Sequence, residues 1–458
     1  MFEYQIPGVY RQEVTIRAQP RLPTGIPGFV GFADARNDGD SVELLLVLPP
    51  GLVFPDNITG KLHYDAGQKE LAFKGQMTCE EQDMLLGLSP EQSYADAVRS
   101  LYAKSQREAL PNEPIVLHRQ ADFDARFVAR RDAYLADAVT AFFGNGGARC
   151  YVVRADPCAD PERALTDALE ALALIDDLDL IAIPDAMTLR TRDSEGIDSP
   201  DEDAITRVQK AMLMHCVIHR GRFAILDSRI GPAAGLTPSE VIEQRARLVA
   251  SMLEPVNGAL YYPWVILEDG RKVPPCGHIA GVYARTDVKS GYFKAPANEE
   301  ILGVVDLETP IGNPEQAQLN PEGVNCLRAF AGRGIRVWGA RTISRDPNWR
   351  YVNVRRLFLT LGRWIDLNMA WASFEPNTPR LWFRITRELG GFLDELWRAG
   401  ALAGKTREEA YYVRCDNETN PPEVREAGQT VTEVGLAPGR PAEFIVVRIV
   451  HHTAVEPR

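Results

Sequence analysis

The chain has 458 residues, 45% hydrophobic and 25% charged, a composition that is typical of globular proteins and excludes a low-complexity or fibrous chain. Its 63 Asp+Glu exceed its 51 Lys+Arg, and the resulting net charge of −12 argues against a sleeve around nucleic acid. The length predicts two or three domains.

The cysteines and the N-terminus indicate the compartment in which the chain folds. Seven cysteines are scattered without a CxxC pair or paired metal-ligand spacing, which favours a reducing environment. The first residues have neither a basic segment nor an apolar segment of the signal-peptide type. No run approaches the roughly 18 apolar residues of a membrane span. We therefore expect cytoplasmic assembly without membrane insertion.

Residues 1–40 predict an extended arm that leads into the first strand of a core. Prolines at positions 20, 23 and 27 disfavour helix, and residues 28–33 follow as a strand. The strand-forming residues of the arm are Tyr4, Ile6, Val9, Tyr10, Val14 and Ile16.

Residues 41–120 predict a small surface insertion made of a hairpin and helices. Segments 61–64 and 70–73 flank a turn and have the character of paired strands. A capping box formed by Thr78 and Glu81 predicts one short helix, and residues 94–107 predict another.

Residues 121–330 alternate between helical and strand patterns. We predict helices at 127–143, 161–175, 204–219 and 238–253, and strands at 150–154, 180–185, 223–227 and 260–265. Short, continuously apolar strands separated by helices are typical of a mainly parallel sheet covered on both faces. A Gly/Pro/Asn-rich passage at 274–321 then leads to the last domain.

Residues 331–458 predict a C-terminal α+β domain. It holds six of the seven tryptophans, two long amphipathic helices at 351–371 and 378–399, and a strand at 411–414. With 19 Lys+Arg and 15 Asp+Glu it is mildly basic, whereas the rest of the chain is acidic. Complementary patches on neighbouring copies are one interpretation, and uncorrelated surface charge is the other. The fold class is therefore α/β and α+β multidomain, with extended terminal arms.

The final strand is apolar on both faces, as strands inside a sheet are. Its apolar residues are Phe444, Ile445, Val446, Val447, Ile449 and Val450. No hairpin partner follows it, and a Pro/Gly-broken passage at 420–441 precedes it. Two tethered strands at opposite ends of one chain suggest that each adds to a neighbour's sheet. The alternative is that both fold back onto their own domain.

Two loops resemble ligand sites only superficially. Residues 144–147 are Gly-Asn-Gly-Gly, but they follow a helix and precede a strand, the reverse of a phosphate-binding loop. Residues 34–40 resemble a calcium loop, but Arg36 and Leu45 occupy ligand positions. We interpret the first as a connector and the second as a polar turn.

Two sets of side chains resemble catalytic or metal sites. His215 and His219 have the i, i+4 spacing of metal ligands on a helix, but the sequence offers no third ligand nearby. Asp185 and Asp227 follow strands, where α/β enzymes place functional groups, yet no nucleophile or base accompanies them. We therefore predict no catalytic residue, no metal and no cofactor.

An ordered set of motifs resembles contractile tail sheath proteins, the outer sleeve of phage tails and of phage-tail-like injection particles. The motifs lie at 7–13, 28–32, 145–154, 259–264, 281–287, 294–298, 319–325, 332–342, 346–356, 374–377 and 437–445. They span the chain except for 41–120 and the acidic loop near 193–203. The compact insertion and the Leu-Tyr-Tyr-Pro-Trp strand at 260–264 resemble extracellular injection particles more than large phages.

The resemblance implies a structural subunit without enzymatic activity. Sheath proteins stack as hexameric rings in a helical polymer around an inner tube, above a baseplate and below a terminal cap protein. Their terminal arms connect neighbouring copies, and contraction drives the tube through a target envelope. We expect the helix at 351–371 to face the tube, through Arg355, Arg356, Arg363 and Asp366. A baseplate or cap protein of the same particle, or an α/β enzyme that uses Asp185 or Asp227, are the alternatives.

Overall fold

The computed structural model describes residues 22–35, 110–192, 198–232, 235–250, 252, 256–373 and 375–441, together with the backbone of three short strands between 44 and 73. The predicted terminal strands at 4–16 and 444–450 and the predicted insertion helices at 78–86 and 94–107 lie outside these residues. None of the helices in the described residues combines the length and the apolar character that a membrane-spanning helix requires.

The strands are numbered in chain order. They are β1 Pro27–Gly31, β2 Asp34–Ala35, β3 Leu44–Val47, β4 Leu62–Asp65, β5 Glu70–Phe73, β6 Pro114–Leu117, β7 Phe127–Val128, β8 Cys150–Arg154, β9 Leu180–Ala182, β10 Arg190–Arg192, β11 Asp198–Pro200, β12 Phe223–Asp227, β13 Gly258–Tyr262, β14 Val265–Ile266, β15 Lys272–Val273, β16 Asp306–Leu307, β17 Val324–Phe330, β18 Gly334–Trp338, β19 Tyr411–Arg414 and β20 Glu433–Leu436.

The described helices follow the same scheme. They are α1 Gln120–Asp124, α2 Leu135–Gly144, α3 Pro161–Glu170, α4 Glu202–Ile218, α5 Pro238–Val249, α6 Cys276–Ser290, α7 Asn313–Leu319, α8 Val352–Asn368, α9 Pro379–Arg398, α10 Arg407–Ala410 and α11 Pro422–Glu426.

An eight-stranded sheet forms the centre of the fold, in the order β18-β17-β13-β12-β9-β1-β8-β6. The six inner strands are parallel, and the edge strands β6 and β18 are antiparallel to their neighbours. Every residue of β1, β12 and β13 is buried, as expected for strands covered on both faces. The predicted mainly parallel sheet flanked by helices is confirmed.

Helices cover the two faces of the sheet with separate hydrophobic clusters. On one face α3, α4 and α5 contribute Leu165, Val208 and Val241 to a core that also contains Trp264. On the other face α2 and α6 pack together, and Phe142 meets Phe29 of β1 edge to face at 5.7 Å between ring centroids. This layered arrangement is a doubly wound α/β fold in which β1 is the sixth of the eight strands in the order given above.

Helix α8 joins this core to the C-terminal unit. Its Val352 packs with the α2–α6 cluster, whereas Leu357 packs against α9. Trp364, near the end of α8, stacks on Phe392 of α9 at 4.1 Å between ring centroids. A two-stranded antiparallel ladder of β19 and β20 completes the unit. The predicted pair of long helices is confirmed, although α8 ends at Asn368.

The structure moves two predicted boundaries in the core. β17 and β18 form a hairpin inside the large sheet, so the domain boundary predicted between residues 330 and 331 would divide one hairpin. β6 pairs with β8, so residues 114–117 belong to the core and not to the insertion predicted at 41–120. The backbone of the predicted hairpin is present as β4 and β5.

Two helix predictions in the core also need correction. Residues 127 and 128 form β7, which pairs with β2, and the helix begins only at Leu135. The Gly/Pro/Asn-rich passage at 274–321, for which the sequence predicts no helix, contains the fifteen-residue helix α6. The residues of α6 are buried for most of its length, so the helix lacks the polar face by which surface helices are recognised in a sequence.

Glycine allows α6 to approach α2 closely, and we expect Gly277→Ala to lower the free energy of unfolding by about 1–3 kcal/mol. A Cβ at Gly277 would lie 2.3 Å from the carbonyl oxygen of Ala138. As a control, Gly391→Ala in α9, where a Cβ has no neighbour within 4 Å, should raise it by about 0.5–1 kcal/mol. Urea denaturation followed by circular dichroism measures both. Equal stabilisation by the two substitutions would contradict the close packing.

Candidate assembly site at the amino edge of the sheet

The amino edge of the sheet, where the parallel strands begin, carries a buried ion-pair cluster. Arg356 of α8 donates to Asp179 at 3.1 Å and to both carboxylate oxygens of Asp287 at 2.8 and 2.6 Å. All three side chains are at most 5% exposed. Asp179 lies just before β9 and Asp287 lies on α6, so the Arg356 cluster ties three elements together.

The first described residues of the chain are anchored to the same cluster. The backbone N–H groups of Gly25 and Ile26 donate to the two carboxylate oxygens of Asp179 at 3.0 and 2.6 Å. Burial raises the pKa of Asp287, against the attraction of Arg356. Asp287 and Asp179 raise the pKa of Arg356 despite the opposing effect of burial, so Arg356 remains charged. A charge enclosed in this way requires its partners, because an unpaired charge in the interior is strongly destabilising.

The last described residues contact α8 about one turn before Arg356. Asn353 donates its side-chain amide to the carbonyl oxygens of Phe293 and Gly439, at 2.9 and 3.0 Å. Asn353 and Arg356 are three residues apart and hence neighbours on one helix face. Both parts of the chain that lead to the terminal segments are therefore held by a single turn of α8.

The four residues predicted to face a tube do not form one surface patch. Arg356 and Arg363 are only 3% and 6% exposed. Arg355 is half-buried and donates to the side chain of Asn257 at 2.6 Å, whereas Asp366 is exposed. Contact of α8 with a tube therefore stays a prediction. The twelve predicted strand-exchange residues lie outside the described residues, and their exchange also stays a prediction.

The opposite, carboxyl edge of the sheet contains the two aspartates considered for catalysis. Asp185 accepts from the backbone N–H groups of Phe32 and Tyr134, and Asp227 accepts from that of Cys276 at 2.9 Å. Burial raises the pKa of each carboxyl to about 7. Both are fully enclosed, so they tie backbone segments together where a substrate has no access.

A polar cleft of about 610 Å³ opens at the same edge, beyond the ends of β1, β8 and β9. Ligands of doubly wound sheets bind at such a position. Arg130 on its wall is paired with Asp132 at 2.7 Å, and Asp160 caps the nearby helix α3. Among the described residues that line the cleft, there is neither a cysteine nor a histidine to act as nucleophile or base.

The histidine pair has a third candidate ligand in the structure. Donor atoms of Glu170, His215 and His219 lie within 4.8 Å of one another, which the sequence did not reveal because Glu170 is on a different helix. However, Arg222 contacts the Nε2 atom of His215. Burial, and then the charge of Arg222, lower the pKa of His215 to about 3. A cation bound there would lie beside a guanidinium, so the geometry favours a neutral histidine that accepts from Arg222.

The Gly-rich loop at 144–147 acts as a connector. Gly146 has a φ of +98°, which ends α2 and turns the chain into β8. The side chain of Asn145 holds the loop through hydrogen bonds to the backbone of Leu302, at 2.9 and 3.1 Å.

Comparisons with known proteins agree with this architecture. Residues 251–343 match the phage tail sheath protein central domain, and residues 344–451 match the phage tail sheath C-terminal domain. A chain of the anti-feeding prophage helical sheath in the contracted state is 33% identical, with a TM-score of 0.61. That match covers 75% of this chain and 89% of the other.

The chain belongs to the contractile tail sheath protein family. A prophage major tail sheath protein of Pseudomonas aeruginosa is 25% identical over 304 residues, which are 65% of this sheath-family chain and 76% of that protein. A chain from the anti-feeding prophage baseplate is 28% identical with a TM-score of 0.62. That match covers 98% of this sheath-family chain and 100% of the baseplate chain.

The sequence did not reveal the assembly of the Arg356 cluster. Asp179, Asp287 and Asn353 lie in three separate segments, and their partners lie at distant positions in the chain. The only local signal is that each is a polar residue beside a buried apolar run.

The enclosed carboxyl of Asp227 gives a pH dependence that can be measured. Its folded-state pKa of about 7 lies above the usual 3.8, so the folded form retains a proton that the unfolded chain has released. The contribution of this group to stability is full below pH 3.8 and is lost as the pH rises towards 7.

Ionisation of Asp227 should lower the free energy of unfolding by up to about 1.4 kcal/mol per pH unit between pH 4 and 7, and we expect Asp227→Asn to abolish this part of the decrease. Urea denaturation at four pH values measures the slope, and Asp366→Asn, an exposed aspartate, serves as the control. Parallel slopes for wild type and Asp227→Asn would show that Asp227 is ionised in the folded protein throughout this range.

Proposed function

We propose that the protein is the structural subunit of a contractile sheath. It polymerises as stacked hexameric rings around an inner tube, between a baseplate and a terminal cap protein, and its contraction drives the tube through a target envelope. The observation that carries the proposal is the 33% identity to a helical sheath chain, of which the match covers 89%. The proposal includes assembly in the cytoplasm and release within a phage tail or an extracellular particle.

The terminal arms connect copies by strand exchange in this proposal. Support comes from the residues at the base of each arm. Asn353 of α8 donates to the carbonyl oxygen of Gly439. Arg356 of α8 donates to Asp179, which also accepts from the backbone N–H of Gly25. A pull on either arm would therefore reach the same helix, and through it the sheet and the C-terminal unit. Strand addition supplies a row of backbone hydrogen bonds at each connection.

Contraction needs no chemical fuel in this scheme. Assembly on the tube and baseplate holds the sheath in an extended state, and triggering lets it shift to a better-packed state. A gain of about 2 kcal/mol per subunit, the scale of one buried aliphatic side chain, becomes large when summed over a polymer. The enclosed, backbone-bonded Asp185 and Asp227 support a protein without catalytic turnover.

Deleting residues 1–16 or 442–458 should leave a folded, soluble protein that forms no sleeves, since each deletion removes one connecting strand. Circular dichroism checks the fold, and negative-stain electron microscopy detects striated tubes. Deletion of residues 452–458 alone is the matched control, because it keeps the predicted strand. Normal sleeves from both longer truncations would refute strand exchange.

A second candidate is a subunit of sheath type located at the baseplate. The full-length match to a baseplate chain favours it, because the helical sheath chain covers only 75% of this protein.

Quantitative mass spectrometry of purified particles separates the two roles. A sheath subunit should be present in hundreds of copies, whereas a single closed ring would hold about six. The abundance of the tube protein in the same particle provides the internal control, because a sheath subunit should scale with it and a ring subunit should not.

A further inference from the structure

Arg363 of α8 is a buried cation without a partner among the described residues. Its side chain is 6% exposed. Its Nε, Nη1 and Nη2 atoms are all enclosed, and none has a hydrogen-bond acceptor within the described ranges. Burial lowers the pKa of this guanidinium. Since buried charges are normally paired, Arg363 requires an explanation that the described residues do not provide.

The contrast with Arg356 is direct. The two arginines are seven residues apart and therefore lie on the same face of α8. Arg356 has two carboxylate partners, whereas the carboxylates nearest to Arg363 are already engaged. Asp179 accepts from Arg356 and from two backbone N–H groups, and Asp177 is bonded to Arg149 and Tyr151.

A second buried arginine lies next to Arg363. A Cβ at Gly221 would lie 2.3 Å from Cγ of Arg363, so the chain before β12 packs directly on this side chain. The following residue, Arg222, is 4% exposed and donates to the carbonyl oxygens of Ala173 and Ile175 at 3.2 and 2.8 Å. Two guanidiniums are thus buried together, and neither has an ion pair with a carboxylate of the described residues.

Two exposed apolar side chains belong to segments that adjoin Arg222. Leu174, between the two carbonyl groups that bind Arg222, is 92% exposed, and Ile218 at the end of α4 is 63% exposed. Apolar side chains around arginine are typical of the centre of a protein–protein interface. A carboxylate is the complementary group, because its two oxygens match the planar fork of a guanidinium.

We propose that Arg363 is an assembly residue whose guanidinium receives a carboxylate from a second copy of this chain. The proposal rests on the proposed sheath function, since it requires contact between copies. The chain supplies the counter-charge itself, with 63 Asp+Glu against 51 Lys+Arg. Because all three guanidinium nitrogens are enclosed in the single chain, this pairing requires the long side chain to rotate out towards the neighbouring copy. Pairing then removes the cost of the buried charge in the isolated subunit.

The test compares Arg363→Met with Arg356→Met in otherwise wild-type full-length protein. Methionine keeps an unbranched side chain of similar length and removes the charge. In the isolated subunit, Arg363→Met should raise the melting temperature by about 2 °C or more, because it removes an unpaired charge. Arg356→Met should lower it by at least as much, because Asp179 and Asp287 lose their partner.

Assembly should respond in the opposite direction. We expect Arg363→Met to raise the critical concentration for sleeve formation at least tenfold, measured by sedimentation and electron microscopy. Arg363→Lys, which keeps the charge but loses the fork, should lie between Arg363→Met and wild type. Destabilisation of the isolated subunit by Arg363→Met, or assembly of that variant at the wild-type concentration, would overturn the proposal.

A cryo-electron microscopy map of wild-type sleeves provides the direct readout. We expect an Asp or Glu oxygen of a second copy within about 3 Å of an Arg363 nitrogen. A carboxylate from the same chain, a free anion, or an unpaired guanidinium would each overturn the inference and leave the sheath function intact. A wild-type chain that forms no sleeves under any condition would reject the sheath function itself, and the inference with it.

Discussion

The buried Arg356 is the interaction on which the arrangement of the chain depends. It holds Asp179 before β9, Asp287 on α6 and its own helix α8 in one position, and Asp179 in turn holds the backbone at Gly25 and Ile26. Asp287 and Asp179 are 69 and 177 residues away from Arg356 in the chain. A buried ion cluster tolerates little displacement, because loss of one partner leaves the remaining charges buried without a counter-charge. The cluster therefore fixes how the core and the C-terminal unit meet.

The two edges of the sheet have different roles. Doubly wound folds often bind ligands at the carboxyl edge, and the polar cleft occupies that position here. Its buried acids, Asp185 and Asp227, are engaged by backbone N–H groups and connect the strand ends to neighbouring loops. The amino edge carries the roots of both terminal segments and the two buried arginines Arg222 and Arg363. In the proposed sheath, the same architecture that serves enzymes acts as a scaffold, since function depends on sites and not on the fold.

In the proposed sheath, the stability of the subunit and the stability of the polymer are separate quantities. Arg356 is satisfied within the chain and stabilises the subunit, whereas Arg363 gains a partner only when copies meet. A subunit with incomplete electrostatic pairing is stabilised by association, so the folded subunit is more stable in the polymer than alone. The first turn of α8 then lies between the arms that connect copies and the helix pair of the C-terminal unit.

The sequence alone determined the elements whose information is local. The apolar runs of β8 and β12 predict buried strands, and the capped, amphipathic pattern of α9 predicts a helix, because each depends on neighbours within about ten residues. The ordered motifs also predicted the family. Tertiary structure alone decided that Phe127–Val128 pairs as a strand, that the apolar α6 is a helix and that Glu170 meets the histidine pair. It also decided that, among the described residues, Arg356 pairs with two aspartates and Arg363 with none. Such contacts join residues far apart in the chain, so they depend on its complete path and leave no periodic trace in any one segment.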